Sequence, residues 1–136
     1  MRGITTALWA ATSVVRDRIV LGRKMRTESI SGILRAIDAR APYGEAGVSA
    51  PDGVLLFGLR AGESIVSRSH VAPNTCLFRA LGRYSLFRRH GHRAVFVMGI
   101  RSEIDGGEGH AWVELEGVPF RESIAPELVV TLRHPS

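Results

Sequence analysis

The sequence predicts an α+β fold, with helices first and a small antiparallel sheet after them. Two features of the chain carry that expectation. As far as Gly91 the apolar residues recur at helical spacing, and beyond it they run continuously and then alternate, as strands do. Glycine-rich stretches at Asp105-Gly106-Gly107-Glu108-Gly109 and Glu116-Gly117 then supply the tight turns that hairpins need. With 136 residues and 45% hydrophobic content, a single domain is expected, residues 1–50 its N-terminal helical part and residues 51–136 its core.

Ile4, Leu8, Ala11, Val15 and Ile19 share one helical face and predict a first amphipathic helix with a basic end at Arg23, Lys24 and Arg26. That stripe is expected to pack on the domain's own core. A second helix follows a cap region at Thr27 to Ser29, with Ile30, Ile33, Leu34 and Ile37 inward and Pro42 as its stop. Residues 42–53 mix glycine, proline and small residues without a period and read as a loop. Asp52 then caps a third helix through Val54, Leu55, Leu59, Gly62, Ile65 and Val66, in which Gly58 and Gly62 suit close contact with a neighbour. Leu77, Ala80, Leu81, Tyr84 and Phe87 predict a fourth helix, starting at Cys76 behind Pro73, Asn74 and Thr75 and ending near Gly91. Ala94 to Ile100 reads as a strand, His110 to Leu115 as its partner, Val118 to Phe120 as a short third strand and Leu128 to Leu132 as an edge strand.

Composition narrows the function. The formal charge of +5 comes from arginine, with Lys24 the only lysine, and guanidinium forks suit carboxylates and phosphates on an acidic partner. One cysteine cannot form an internal disulfide, so a reducing compartment is expected, the cytoplasm by default. Arg2 followed by Ile4 to Val15 resembles a signal peptide only superficially. It carries Thr5, Thr6, Thr12 and Ser13, lacks a small-x-small cleavage site, and runs into Arg16-Asp17-Arg18. The run is also short of the roughly 20 apolar residues that span a bilayer. No transmembrane segment is expected.

The chemistry centres on Cys76. A helix start offers unpaired N–H groups and a partial positive charge, which favour a thiolate nucleophile; the alternative is a buried small hydrophobe. On the alternating strand His110, Trp112 and Glu114 share one face, and Ala111, Val113 and Leu115 the other. If the cysteine helix packs on the sheet, His110 at a strand edge can exchange a proton with Cys76. A third group must fix the imidazole tautomer. Glu122, twelve positions beyond His110 and past the Glu116-Gly117 turn, can return alongside. Glu114 is nearer, but from a same-face position it points parallel to His110 and meets solvent or an arginine.

Thr75-Cys76-Leu77-Phe78-Arg79-Ala80-Leu81, Val97-Met98-Gly99-Ile100 and Gly109-His110-Ala111-Trp112-Val113-Glu114-Leu115-Glu116-Gly117 together resemble the transglutaminase-like cysteine peptidases that remove the leader from lasso-peptide precursors. The resemblance is specific over residues 75–122 and looser over the N-terminal helices. It implies a transglutaminase-like or papain-like peptidase core with Cys76 as nucleophile, His110 as general base and acid, and Glu122 as orienting acid, where the family more often has aspartate. It also implies a free-standing peptidase that works on a precursor leader peptide with a separate leader-recognition protein, upstream of an ATP-dependent lasso cyclase. No cofactor and no metal enter this chemistry.

Further readings stay open at this level. The backbone N–H of Cys76 is the expected oxyanion donor, while Asn74 and Thr75 either border the substrate groove or cap the helix. Trp112 either lines that groove or packs in the core. Arg79, Arg83, Arg88 and Arg89 form either a basic face for an acidic partner or an ordinary solvated face. The same residues would serve a transglutaminase-like acyltransferase. A non-enzymatic basic binding protein is the third class, although no groove-reading nucleic-acid motif is present. His90-Gly91-His92 lacks a second ligand pair at zinc-finger spacing, and His70 and His134 have no evident partners.

Overall fold

The computed structural model describes residues 2–40, 52–70, 75–101, 109–124, 126 and 128–135. Among them the elements run α1 (Arg2–Lys24), α2 (Ile30–Arg40), α3 (Gly53–Ser69), α4 (Cys76–Arg89), β1 (Ala94–Ile100), β2 (Gly109–Leu115), β3 (Val118–Pro119) and β4 (Val129–His134). Helices therefore precede a four-stranded antiparallel sheet of order β3-β2-β1-β4, the α+β arrangement predicted. The expected stop at Pro42 and the turn over 105–108 lie outside the described residues.

The sheet is built from a long central hairpin. β1 and β2 pair throughout, from Ala94 opposite Leu115 to Ile100 opposite Gly109. Glu116 and Gly117 both have positive φ, 53° and 79°, the backbone of a two-residue turn whose twist matches its strands. β4 is an edge strand on β1, with a register slip between Met98 and Gly99. One sheet face presents Ala94, Phe96, Ala111 and Val113 to the helices, where they join Leu81, Tyr84 and Phe87 of α4 in the core.

The stripe expected to bury α1 is not the buried one. Ile4 and Leu8 are 69% and 64% exposed, while Ala10, Ser13, Val14, Asp17, Arg18 and Leu21 are buried. The buried face is displaced by one residue from the apolar stripe, a rotation of roughly 100°. Periodicity missed it because Asp17 and Arg18 count as solvated residues, yet each has a partner inside. Asp17 accepts from Ser85 and Arg89 of α4 at 3.2 and 3.1 Å. The fully buried Arg18 lies 3.6 Å from Glu63 of α3 and runs over Gly82, where a Cβ would stand 2.8 Å from its Nε. Burial lowers the Arg18 pKa to about 10; Glu63 opposes that, and Arg79 and Arg83 add to it, so the guanidinium still carries its charge at neutral pH.

α4 is joined to every other helix in this way. Arg89 meets Asp17 of α1, and Arg83 meets Glu63 of α3 through two bonds of 2.8 and 3.1 Å. At α2, Asp38 accepts from Tyr84 Oη at 2.6 Å and Arg88 Nε at 3.3 Å, and His134 of β4 reaches its other oxygen at 2.6 Å. Three of the four arginines of α4 thus form neither a basic docking face nor a solvated one: Arg83 and Arg88 are buried and Arg89 is paired. His134, expected to be partnerless, has Asp38.

Gly58 and Gly62 do bring two helices together, as their spacing suggested. A Cβ on Gly58 would sit 2.6 Å from the Ala7 carbonyl, and one on Gly62 2.8 Å from the Ala11 carbonyl and 2.7 Å from Val14 Cβ. Gly62→Ala should therefore destabilise the fold although alanine is intrinsically the better helix former by about 1 kcal/mol. Crowding against backbone costs about 1–3 kcal/mol, and a net loss near 1 kcal/mol lowers Tm by roughly 4 °C. Gly53→Ala, where a Cβ meets nothing within 4 Å, should not lower Tm in the same thermal melts.

Asp38 supplies a pH-dependent counterpart. Burial alone would raise its carboxyl, but the bonds from Tyr84 and His134 and the charge of Arg88 outweigh it and hold the carboxyl below its ordinary range. A depressed folded-state value stabilises above the unfolded value near pH 4 and is lost as pH falls through the folded one. Asp38→Asn should thus cost about 2 kcal/mol at pH 7. In urea titrations that difference should shrink as pH falls below the ordinary carboxylate range, where the wild-type carboxyl also becomes neutral.

Candidate active site

Cys76 is the first residue of α4 and is partly exposed. Thr75 caps the helix, its hydroxyl accepting from the Phe78 N–H at 3.4 Å. Of the two roles open to Thr75, the structure displays the cap. That cap takes the third N–H of the helix and leaves those of Cys76 and Leu77 without an intrahelical acceptor, the usual condition of a first turn. Asn74 lies outside the described residues.

His110 opens β2, and Glu122 is brought to it. β3 pairs only with Glu114 and Leu115, so the remaining edge of β2 is flanked by the chain that follows, beginning with Phe120 N–H donating to the Val113 carbonyl at 2.8 Å. Arg121 takes a positive φ of 52°, and the next residue, Glu122, places Oε2 2.5 Å from His110 Nε2. A carboxylate partner puts the proton on Nε2 and leaves Nδ1 as the nitrogen available for proton exchange.

Trp112 is only 3% exposed, so it does not border an open groove. Its indole stacks on the imidazole of His110 with ring centroids 5.8 Å apart, and forms a backing for that ring. Gly99, opposite His110 in register, makes the room: a Cβ there would lie 3.4 Å from the indole and 3.1 Å from the Val129 carbonyl. Trp112 Nε1 donates to Glu114 at 3.2 Å, and Arg133 donates to the other oxygen of Glu114 at 2.6 Å. Glu114 meets an arginine, as expected, and stands apart from the imidazole.

Sequence reasoning put Arg83 on a basic or solvated face and passed over Glu63. Arg83 Nη1 lies 3.9 Å from Glu122 Oε1, its other nitrogens hold Glu63, and its guanidinium lies 5.2 Å from the centre of the Phe120 ring. A signal for it existed: Cys76, Ala80, Arg83 and Phe87 form one stripe of α4, and an arginine within a stripe otherwise bound for the core needs an internal anion. The other histidines take unrelated places. His90 packs edge-on to Trp9 and reaches the Leu86 carbonyl, and His92 is buried beside Phe87.

Helices followed by a small antiparallel sheet, with a cysteine opening the helix that packs on the strands, make a transglutaminase-like core. The sequence profile of the Transglutaminase-like superfamily matches residues 13–133, and the chain belongs to that superfamily, whose members are typically cysteine-dependent enzymes. Neither the curated proteins nor the solved structures compared with it gave a match. Among the described residues no helix is long and apolar enough to cross a membrane.

Proposed function

We propose that the chain is a cysteine peptidase that cleaves the leader from a lasso-peptide precursor, with Cys76, His110 and Glu122 as its catalytic residues. The observation that carries this reading is the direct contact of Glu122 with His110, made by an acid twelve residues downstream on a chain returning along β2. The superfamily supplies the cysteine chemistry. The leader as substrate rests on the resemblance of the Cys76, Gly99 and His110 segments to the lasso leader peptidases.

Glu122 occupies Nε2, so Nδ1 of His110 takes the proton of the Cys76 thiol, and the sulfur attacks the carbonyl that joins leader to core. The oxyanion that forms is held by the Cys76 N–H at the helix start. His110 then gives its proton to the departing core amine, and water hydrolyses the thioester to release the leader and restore the thiol. The freed α-amine is the nucleophile that an ATP-dependent cyclase needs for macrolactam closure. On this reading a separate leader-recognition protein presents the precursor, and no cofactor takes part.

Acyl transfer to an amine uses the same residues and is the second reading, favoured by superfamily membership alone. The basic binding protein loses support, because Arg18, Arg83, Arg88, Arg89 and Arg133 are engaged with Glu63, Asp38, Asp17 and Glu114.

Incubation with a lasso precursor and mass spectrometry separates these outcomes. Hydrolysis yields leader and core, transfer yields an adduct heavier by the amine, and Cys76→Ala or His110→Ala should yield neither while retaining the wild-type circular dichroism. Release of core by Cys76→Ala at the wild-type rate would sink the assignment. Glu122→Gln keeps the side chain's shape but no longer stabilises an imidazolium, and should lower kcat/KM by about tenfold or more. Glu122→Asp should retain more activity than Glu122→Gln in the same assay.

A further inference from the structure

Arg83 is placed for a task that neither packing nor solubility requires. It lies two helical turns beyond Cys76 on the same stripe of α4, about 10 Å along the axis. Its side chain is 10% exposed and fixed on two sides, by the forked bond to Glu63 and by the ring of Phe120. What remains of its guanidinium faces Glu122. That carboxylate has two oxygens with separate partners: Oε2 meets His110 Nε2, and Oε1 lies 3.9 Å from Arg83 Nη1. A glutamate has one more rotatable bond than an aspartate, so a contact that fixes only one oxygen leaves its plane free to turn. A cation beside the second oxygen restricts that rotation.

We propose that Arg83 is a positioning residue: its charge beside the second oxygen holds Glu122 in the orientation that receives His110. The proposal rests on the reading of Cys76 and His110 as a reactive pair. At 3.9 Å the contact is electrostatic rather than a hydrogen bond, so the charge of Arg83 carries the effect. The other charges around it are Glu63 on α3, Arg18 on α1 and Arg79 on α4. Glu63 is shared by Arg18 and Arg83 and offsets part of their field. Removing Arg83 and removing Glu63 should therefore act with opposite signs, which loss of packing would not produce.

The single cysteine allows a test that needs no substrate, because alkylation by iodoacetamide follows the thiolate. Wild type, Arg83→Gln, Glu63→Gln, Glu122→Gln and the double variant Arg83→Gln/Glu122→Gln are alkylated across about pH 4–10, where thiol and imidazole titrate. Mass spectrometry reads the extent and circular dichroism the fold. The pH of half-maximal alkylation should rise in Arg83→Gln and fall in Glu63→Gln, each by about 0.3–1 unit. In the Glu122→Gln background the Arg83→Gln shift should shrink to less than half, as coupling through that carboxylate requires. Midpoints unchanged in both single variants, or an Arg83→Gln shift of full size without Glu122, overturn the positioning role. Should Arg83→Gln not fold, the sign of the Glu63→Gln shift decides. The pairing of Cys76 with His110 fails separately, if His110→Ala leaves the wild-type profile unmoved.

Discussion

The structure depends on carboxylates that reach α4 from each of the other helices. Asp17 of α1 receives Arg89 and Ser85, Asp38 of α2 receives Arg88 and Tyr84, and Glu63 of α3 receives Arg83. Such pairs contribute little net stability, because removing two charges from water costs several kcal/mol that their attraction only partly returns. Burial pushes the Asp17 carboxyl up despite Arg89, Arg16 and Ser85, in the direction of that cost. Their larger effect is on geometry. A helix packed only through leucines can turn by a fraction of a residue at small cost, whereas one tied by ion pairs in three directions cannot.

That restraint matters because α4 carries both ends of the candidate site. Cys76 stands at its first residue, and Arg83 on the same stripe reaches the acid that holds His110. The rotation of α4 therefore sets the direction of the thiol and the place of the cation together. Tyr84 contributes from the adjacent position: burial, together with its bond to Asp38, keeps its phenol neutral and its ring in the core between Phe96 and His134.

Much of this was legible in the sequence where periodicity or turn chemistry speaks. The bounds of α4 and β1, the cap at Asp52, the positive-φ turn at Glu116-Gly117 and the close approach at Gly58 and Gly62 follow from local rules. His110 and Glu122 were legible through strand parity and chain return. What was not legible was the charged interior. Hydrophobic spacing assigns Asp17, Arg18, Arg83 and Arg88 to solvent, and only the tertiary arrangement shows the partners that make their burial tolerable. The same blindness misplaced the buried face of α1. It also left Ile4, Leu8 and Phe57 on an exposed apolar groove of about 360 Å³ between α1 and α3.

The hairpin after β2 has a consequence for how this chain can change length. Surface turns ordinarily accept insertions and deletions. Here Glu122 stands six positions after Glu116, and the stretch from Glu116 on holds a two-residue turn with fixed handedness, a two-residue strand and a positive-φ residue. Side chains alternate along such a stretch, so one residue more or fewer would turn the carboxylate to the opposite side of the sheet edge. An exposed turn is thereby held to a fixed count: changing its length would turn Glu122 away from His110.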